Sequence, residues 1–164
     1  MRLCRSAPHL RGFTLIEMLV TVAIVGLLST VAFPLLELTE RRSHEQELRV
    51  ALRQIRSAID SYKQAVDEGR VVETTKGSGY PPSLEILVDG VSDAKSPSQA
   101  SKLIFLRRIP ADPFATVAAE AGTSIWGLRS YASPHDKPQP GVDVFDVYSQ
   151  APGIGLNGVP YKEW

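Results

Sequence analysis

The chain has 164 residues, 43% of them hydrophobic, with 18 basic and 18 acidic side chains; this is enough for one modest folded domain plus an anchor. Cys4 is the sole cysteine, which excludes a disulfide framework and a cysteine-built metal site. Arg2, Arg5 and Arg11 precede Phe13 with no acid among them, leaving 15 basic against 18 acidic residues beyond, a balance that argues against a nucleic-acid partner.

The head, Met1–Gly12, carries the positive charge of a segment held on the cytoplasmic side of a membrane. It lacks the small-x-small cleavage site of an ordinary signal peptide. An apolar run continues from Met18 to Leu36, near the ~20 residues that cross a bilayer. Thr21, Ser29 and Thr30 can return their hydroxyls to the helix backbone, and Gly26 suits a membrane helix. Pro34 is expected to loosen or kink that helix, because it has no N–H and its ring crowds the preceding turn. Glu17 does not fit a plain anchor. A carboxylate in hydrocarbon costs roughly 2.5–3.5 kcal/mol on insertion scales and is retained for a function.

From Glu37 helical periodicity persists while charge rises. Leu48, Leu52, Ile55, Ile59, Tyr62 and Val66 form one apolar stripe, and Gly69 is a plausible stop. Such a stripe is either a coiled-coil seam or a helix face covered by its own domain. With about three heptads and no partner helix visible, packing on a sheet is favoured. A continuous helix from Phe13 to Glu68 would extend ~84 Å. His44, in the charged stretch, reads as solvated.

Beyond Arg70, Gly77, Gly79, Pro81 and Pro82 bar regular structure. Ser83 can cap a short helix over Leu84–Val88. Ser92–Ser101 reads as a surface loop. Lys102–Ile109 supplies an apolar run expected to be largely buried, and Asp112-Pro113 is a turn. Ile125–Tyr131 and Val142–Ser149 read as strands of a hairpin with a long proline-containing loop. Strict alternation in the second strand puts Phe145 and Val147 on one face and Val144 on the other, with Asp143 and Asp146 opposed. Trp164 is expected to pack back on the domain. The fold class is therefore α+β: a long N-terminal helix on a small antiparallel sheet.

Gly12-Phe13-Thr14-Leu15-Ile16-Glu17, between a basic leader and an apolar helix, resembles the class III signal of type IV pilins and type II secretion pseudopilins. The resemblance implies cleavage by a prepilin peptidase after Gly12 and methylation of the new Phe13 amine. It also implies a helix kink at Pro34 and pairing of Glu17 with the Phe13 amine of a neighbouring subunit in a filament. In physical terms, the amine is a positive charge at a helix N-terminus, where the dipole also favours a carboxylate by ~0.3–1 kcal/mol at exposed sites. The body adds Tyr80-Pro81-Pro82-Ser83, Arg107–Phe114 (RRIPADPF), Phe145–Ser149 (FDVYS) and the closing Glu163-Trp164. In that order these are similar to the major pseudopilin of type II secretion systems. That family follows its last strand with an acid-rich calcium loop. Here Gln150–Gly158 has no carboxylate, and calcium prefers several, so no metal or other cofactor is assigned.

No nucleophile–base pair is suggested, and no HExxH, phosphate loop or GxSxG is present. Gly153-x-Gly155-x-x-Gly158 follows the last strand without a helix after it, so it is a turn-rich loop rather than a nucleotide fingerprint. The reading is a non-enzymatic pseudopilin with a cleaved leader (1–12), a transmembrane and assembly segment (13–36), an amphipathic helix (37–69) and a loop-and-sheet region (70–164). Its implied partners are copies of itself, other pseudopilins, the prepilin peptidase and the inner-membrane assembly platform. Its implied location is the inner membrane, single-pass, with the C-terminal domain in the periplasm. The alternative is a minor pilin of a type IV pilus.

Overall fold

The computed structural model describes residues 12–75, 77–96, 101–115 and 126–164, and only the backbone of residues 31–34. Residues 1–11 of the leader, Ile125 and the side chain of Pro34, on which the kink depends, lie outside the described residues. Helix α1 runs Leu15–Asp67 over 53 residues, α2 is Glu85–Asp89, and the strands among the described residues are β1 (Val91–Ser92), β2 (Lys102–Leu103), β3 (Trp126–Arg129) and β4 (Asp146–Ser149). A 3-10 turn, Tyr161–Glu163, closes the chain. The chain divides into two compact units, Met1–Arg41 and Arg42–Trp164, and α1 contributes to both.

In the first unit α1 carries an apolar window long enough to cross a membrane, none of it buried. The three hydroxyls expected to fold back do so: Thr21 donates to the Met18 carbonyl at 2.9 Å, Ser29 to Val25 at 2.8 Å and Thr30 to Leu27 at 2.7 Å. Polar atoms are thereby satisfied within the helix, which lipid or a dry protein interface demands.

In the second unit the apolar stripe is covered by its own domain. Leu48, Leu52, Ile55, Ile59 and Tyr62 are buried, with Val66 packed at the edge. Leu84, Leu87, Trp126, Val144, Val147 and Tyr161 complete this core. Full burial of each large apolar side chain contributes about 1.5–3 kcal/mol relative to exposure. The helix ends as its composition predicts. Gly69, at φ 68°, donates to the Val66 carbonyl at 2.8 Å, and Arg70 donates to Ala65 at 2.8 Å, the paired bonds of a Schellman stop.

Strands β1 and β2 pair antiparallel, as do β3 and β4 with Trp126 opposite Ser149 and Arg129 opposite Asp146. Among the described residues they form two separate ladders rather than one sheet. Three local expectations need correction. Ser83 does not cap α2: the N-cap position is Leu84, with no side-chain bond, and burial of Leu84 sets the entry to the helix instead. The run 102–109 is less buried than expected: Leu103, Phe105, Leu106 and Ile109 are partly buried against the core, the Phe105 and Leu106 N–H groups both go to the Leu87 carbonyl, and Ile104 is 61% exposed. The last strand starts at Asp146 rather than Val142. The Val144 N–H goes to the Pro81 carbonyl at 2.7 Å, so the alternation breaks and Val144 and Val147 are both buried.

Candidate functional site

Two places carry the candidate functional residues. At the N-terminus Gly12, Phe13 and Thr14 are non-helical and exposed, and α1 begins at Leu15. Thr14 is its cap: the Thr14 Oγ1 accepts from the Glu17 N–H at 3.3 Å, and the Thr14 carbonyl accepts from Met18 at 3.2 Å. Glu17 therefore occupies the third helical position, the spacing of a capping box, with its carboxylate exposed beside the positive end of the helix dipole. This role was legible as Thr14-x-x-Glu17 but is not among the sequence expectations. A side chain at Gly12 would meet nothing within 4 Å, so the fold itself places no steric demand there. Phe13 is 77% exposed, and the Gly12–Phe13 bond precedes the helix on an open strip of chain.

The second place is the C-terminal half of the body, where the proline–aspartate turn, the last strand and the tail converge. Asp112 uses one carboxylate oxygen to accept the Phe114 N–H at 2.8 Å and the other to accept the buried Ser149 hydroxyl at 2.5 Å. The turn directs Phe114 onto Tyr161, ring centroids 4.5 Å apart, and Tyr161 meets Trp164 edge-on. Trp164 packs back as expected. Its ring lies against Gly155, where a Cβ would come within 2.4 Å, and beneath the Arg49 guanidinium at 4.4 Å. Trp126 donates its indole N–H to the Pro110 carbonyl at 2.9 Å.

Two residues that sequence reasoning passed over tie α1 to this region. Arg56 donates to Asp146 at 2.7 Å, to the Val147 carbonyl at 3.1 Å and to the Trp164 carbonyl at 2.7 Å. Glu45, buried, accepts from the Leu156 N–H at 2.7 Å and the Tyr161 hydroxyl at 3.1 Å. The glycine-rich loop, which has no acid of its own, is thus held by a carboxylate from the helix. Both residues sit in a charged stretch whose composition reads as solvated, so no sequence signal separates them from their neighbours. Asp143, also buried, accepts the Ser130 hydroxyl at 2.5 Å and the Tyr131 N–H at 3.0 Å. Burial pushes its carboxyl up, but these bonds and Ser78 outweigh burial and hold it below the usual carboxylate value. Among the described residues no three His, Cys, Asp or Glu converge on one point.

Residues 9–33 match the prokaryotic N-terminal methylation motif. The type II secretion system core protein G of Pectobacterium carotovorum is 30% identical over 112 residues, which cover 68% of this chain and 67% of that protein. The chain belongs to the type II secretion core protein G family. It is a pseudopilin. The core protein G of Klebsiella pneumoniae is 29% identical over 151 residues, spanning 92% of this pseudopilin and 87% of its relative. A shorter likeness, 39% over 62 residues, links it to the type IV major pilin PilA of Myxococcus xanthus and covers 38% of this chain and 28% of that one. No solved structure matches it.

Proposed function

We propose that a prepilin peptidase cuts the Gly12–Phe13 bond and methylates the Phe13 amine. The inner-membrane platform then assembles the mature chain, with copies of itself and other pseudopilins, into a periplasmic filament that serves type II secretion. The subunit works as a building block and not as an enzyme. The observation that carries this reading is the junction itself: an exposed, non-helical Gly12-Phe13 segment directly before a capped helix. Its exposed apolar surface has to be covered by lipid before assembly and by other subunits after it. The leader stays cytoplasmic by its charge, and the body lies in the periplasm. Pro34 supplies the bend between the two halves of the helix.

In this reading Glu17 has two tasks. It supports the helix start in every subunit, and in the filament it neutralises the amine of a neighbouring Phe13, so that neither charge is left unpaired in a dry core. The type IV pilus reading is less favoured, because the pilin likeness covers 38% of the chain whereas core protein G relatives cover up to 92%. Mass spectrometry of the N-terminus is the test. A mature chain starting at methylated Phe13 is the expected result; an intact Met1 or a different start overturns the processing step. Long surface fibres containing the chain would move it to the pilus class.

A further inference from the structure

Asn157 is the sole asparagine in the chain, and it directly precedes Gly158. Asparagine is a thermolabile residue, because its amide carbon is open to attack by the backbone nitrogen that follows. A glycine in the next position hinders that attack least, having no Cβ. Both residues are exposed in the loop between β4 and the closing turn, and a Cβ built at Gly158 would meet nothing within 4 Å. Asn157 Oδ1 accepts the Val159 N–H at 3.1 Å. That bond closes a ring containing both reacting atoms, the Asn157 Cγ and the Gly158 nitrogen, and so holds them in approach. It also aims a donor at the oxygen on which charge develops during the attack. Against this, the Gly158 N–H is donated to the Gly155 carbonyl at 2.9 Å. The turn is held further by the Gly155 N–H on the Val159 carbonyl at 2.8 Å and by the Leu156 N–H on buried Glu45 at 2.7 Å. The nitrogen reacts only when this turn opens locally.

We propose that Asn157 is a self-modification site, converted through a cyclic imide to isoaspartate and aspartate, with the Glu45 latch restraining the rate. Solvent base takes the Gly158 amide proton, and the nitrogen bonds to Asn157 Cγ. The Cγ–Nδ2 bond breaks, and the side-chain nitrogen leaves as ammonia with a proton from water. Water then adds to one of the two imide carbonyls and reopens the ring. Opening at the main-chain carbonyl gives isoaspartate, and opening at the side-chain carbonyl gives aspartate. One water is consumed and one ammonia released, with no oxidant or reductant. Isoaspartate adds a carbon to the main chain between residues 157 and 158 and puts a carboxylate in a loop that has none. It displaces Val159, whose carbonyl also accepts the Trp164 indole N–H at 3.1 Å, so the modified tail releases its tryptophan. This inference goes beyond the assembly reading and does not depend on it.

The test ages the full-length protein in detergent at mildly alkaline pH, beside a capped synthetic peptide of residues 153–161. Peptide mass spectrometry follows the conversion, and chromatography separates the two products. The expected result is the mass gain of an amide turned to an acid at residue 157, with isoaspartate in excess. It should proceed several-fold more slowly than in the peptide, and tryptophan emission should shift to the red in step with it. Glu45→Ala should raise the rate several-fold towards that of the peptide. Glu45→Gln keeps an acceptor for the Leu156 N–H and should stay near the parent rate, which separates loss of the latch from loss of charge. Asn157→Gln should remove the product. No conversion after the peptide has fully converted, aspartate without isoaspartate, a folded rate equal to that of the peptide, or an unchanged rate in Glu45→Ala would each overturn the proposal.

Discussion

Asp112 Oδ2 accepts the Ser149 hydroxyl at 2.5 Å and joins the proline-flanked turn to the last strand across 37 positions of sequence. Both residues are buried, Ser149 completely. Removing the hydroxyl leaves a buried carboxylate oxygen without its donor. Ser149→Ala should therefore destabilise the domain by about 1–3 kcal/mol, measured as a lower urea midpoint at unchanged slope. A midpoint equal to that of the parent chain would remove this bond from the forces that hold the turn.

Glu45 links α1 to the glycine-rich loop through the Leu156 N–H and the Tyr161 hydroxyl. Glu45→Ala should cost about 1–3 kcal/mol and speed hydrogen exchange at the Leu156 amide more than in the α1 core. Exchange that rises equally everywhere would mean global destabilisation without a local latch.

Asp143 gives a pH dependence with a definite sign. Its folded pKa lies below the ordinary value because hydrogen bonds outweigh burial. Its contribution is therefore fully present above about pH 4, the unfolded carboxylate range. It is lost as pH falls through the depressed folded value. The advantage of the parent chain over Asp143→Asn should be constant above about pH 5 and shrink below about pH 4. An advantage that grows on acidification would reverse the sign of the assignment.

Glu17→Ala should leave the protein in the membrane and abolish filaments. The variant loses the carboxylate proposed to meet the neighbouring amine, but keeps the apolar segment. Membrane fractionation and electron microscopy read the two outcomes separately, and normal filaments would refute the pairing.

Gly12→Glu should accumulate full-length precursor in the membrane. The space around Gly12 is open, so any block lies in recognition by the peptidase and not in folding. Normal processing of this variant on an immunoblot would remove Gly12 from the cleavage determinant.

The sequence by itself determined what depends on local period and composition. The stripe from Leu48 to Tyr62 marks the buried face of α1 whatever covers it, and Gly69 ends the helix because it accepts a left-handed backbone. The Thr14-x-x-Glu17 cap and the apolar run after it are equally local. Tertiary structure decided the rest. Arg56 and Glu45 look like their solvated neighbours until β4 and the tail are brought against α1. Val144 left the expected alternation because Pro81, 63 positions earlier, offered its carbonyl. The roles of Asp112, Asp143 and Asp146 were fixed in the same way. A carboxylate's work is set by the donors that reach it, and those donors come from distant segments that no local pattern encodes.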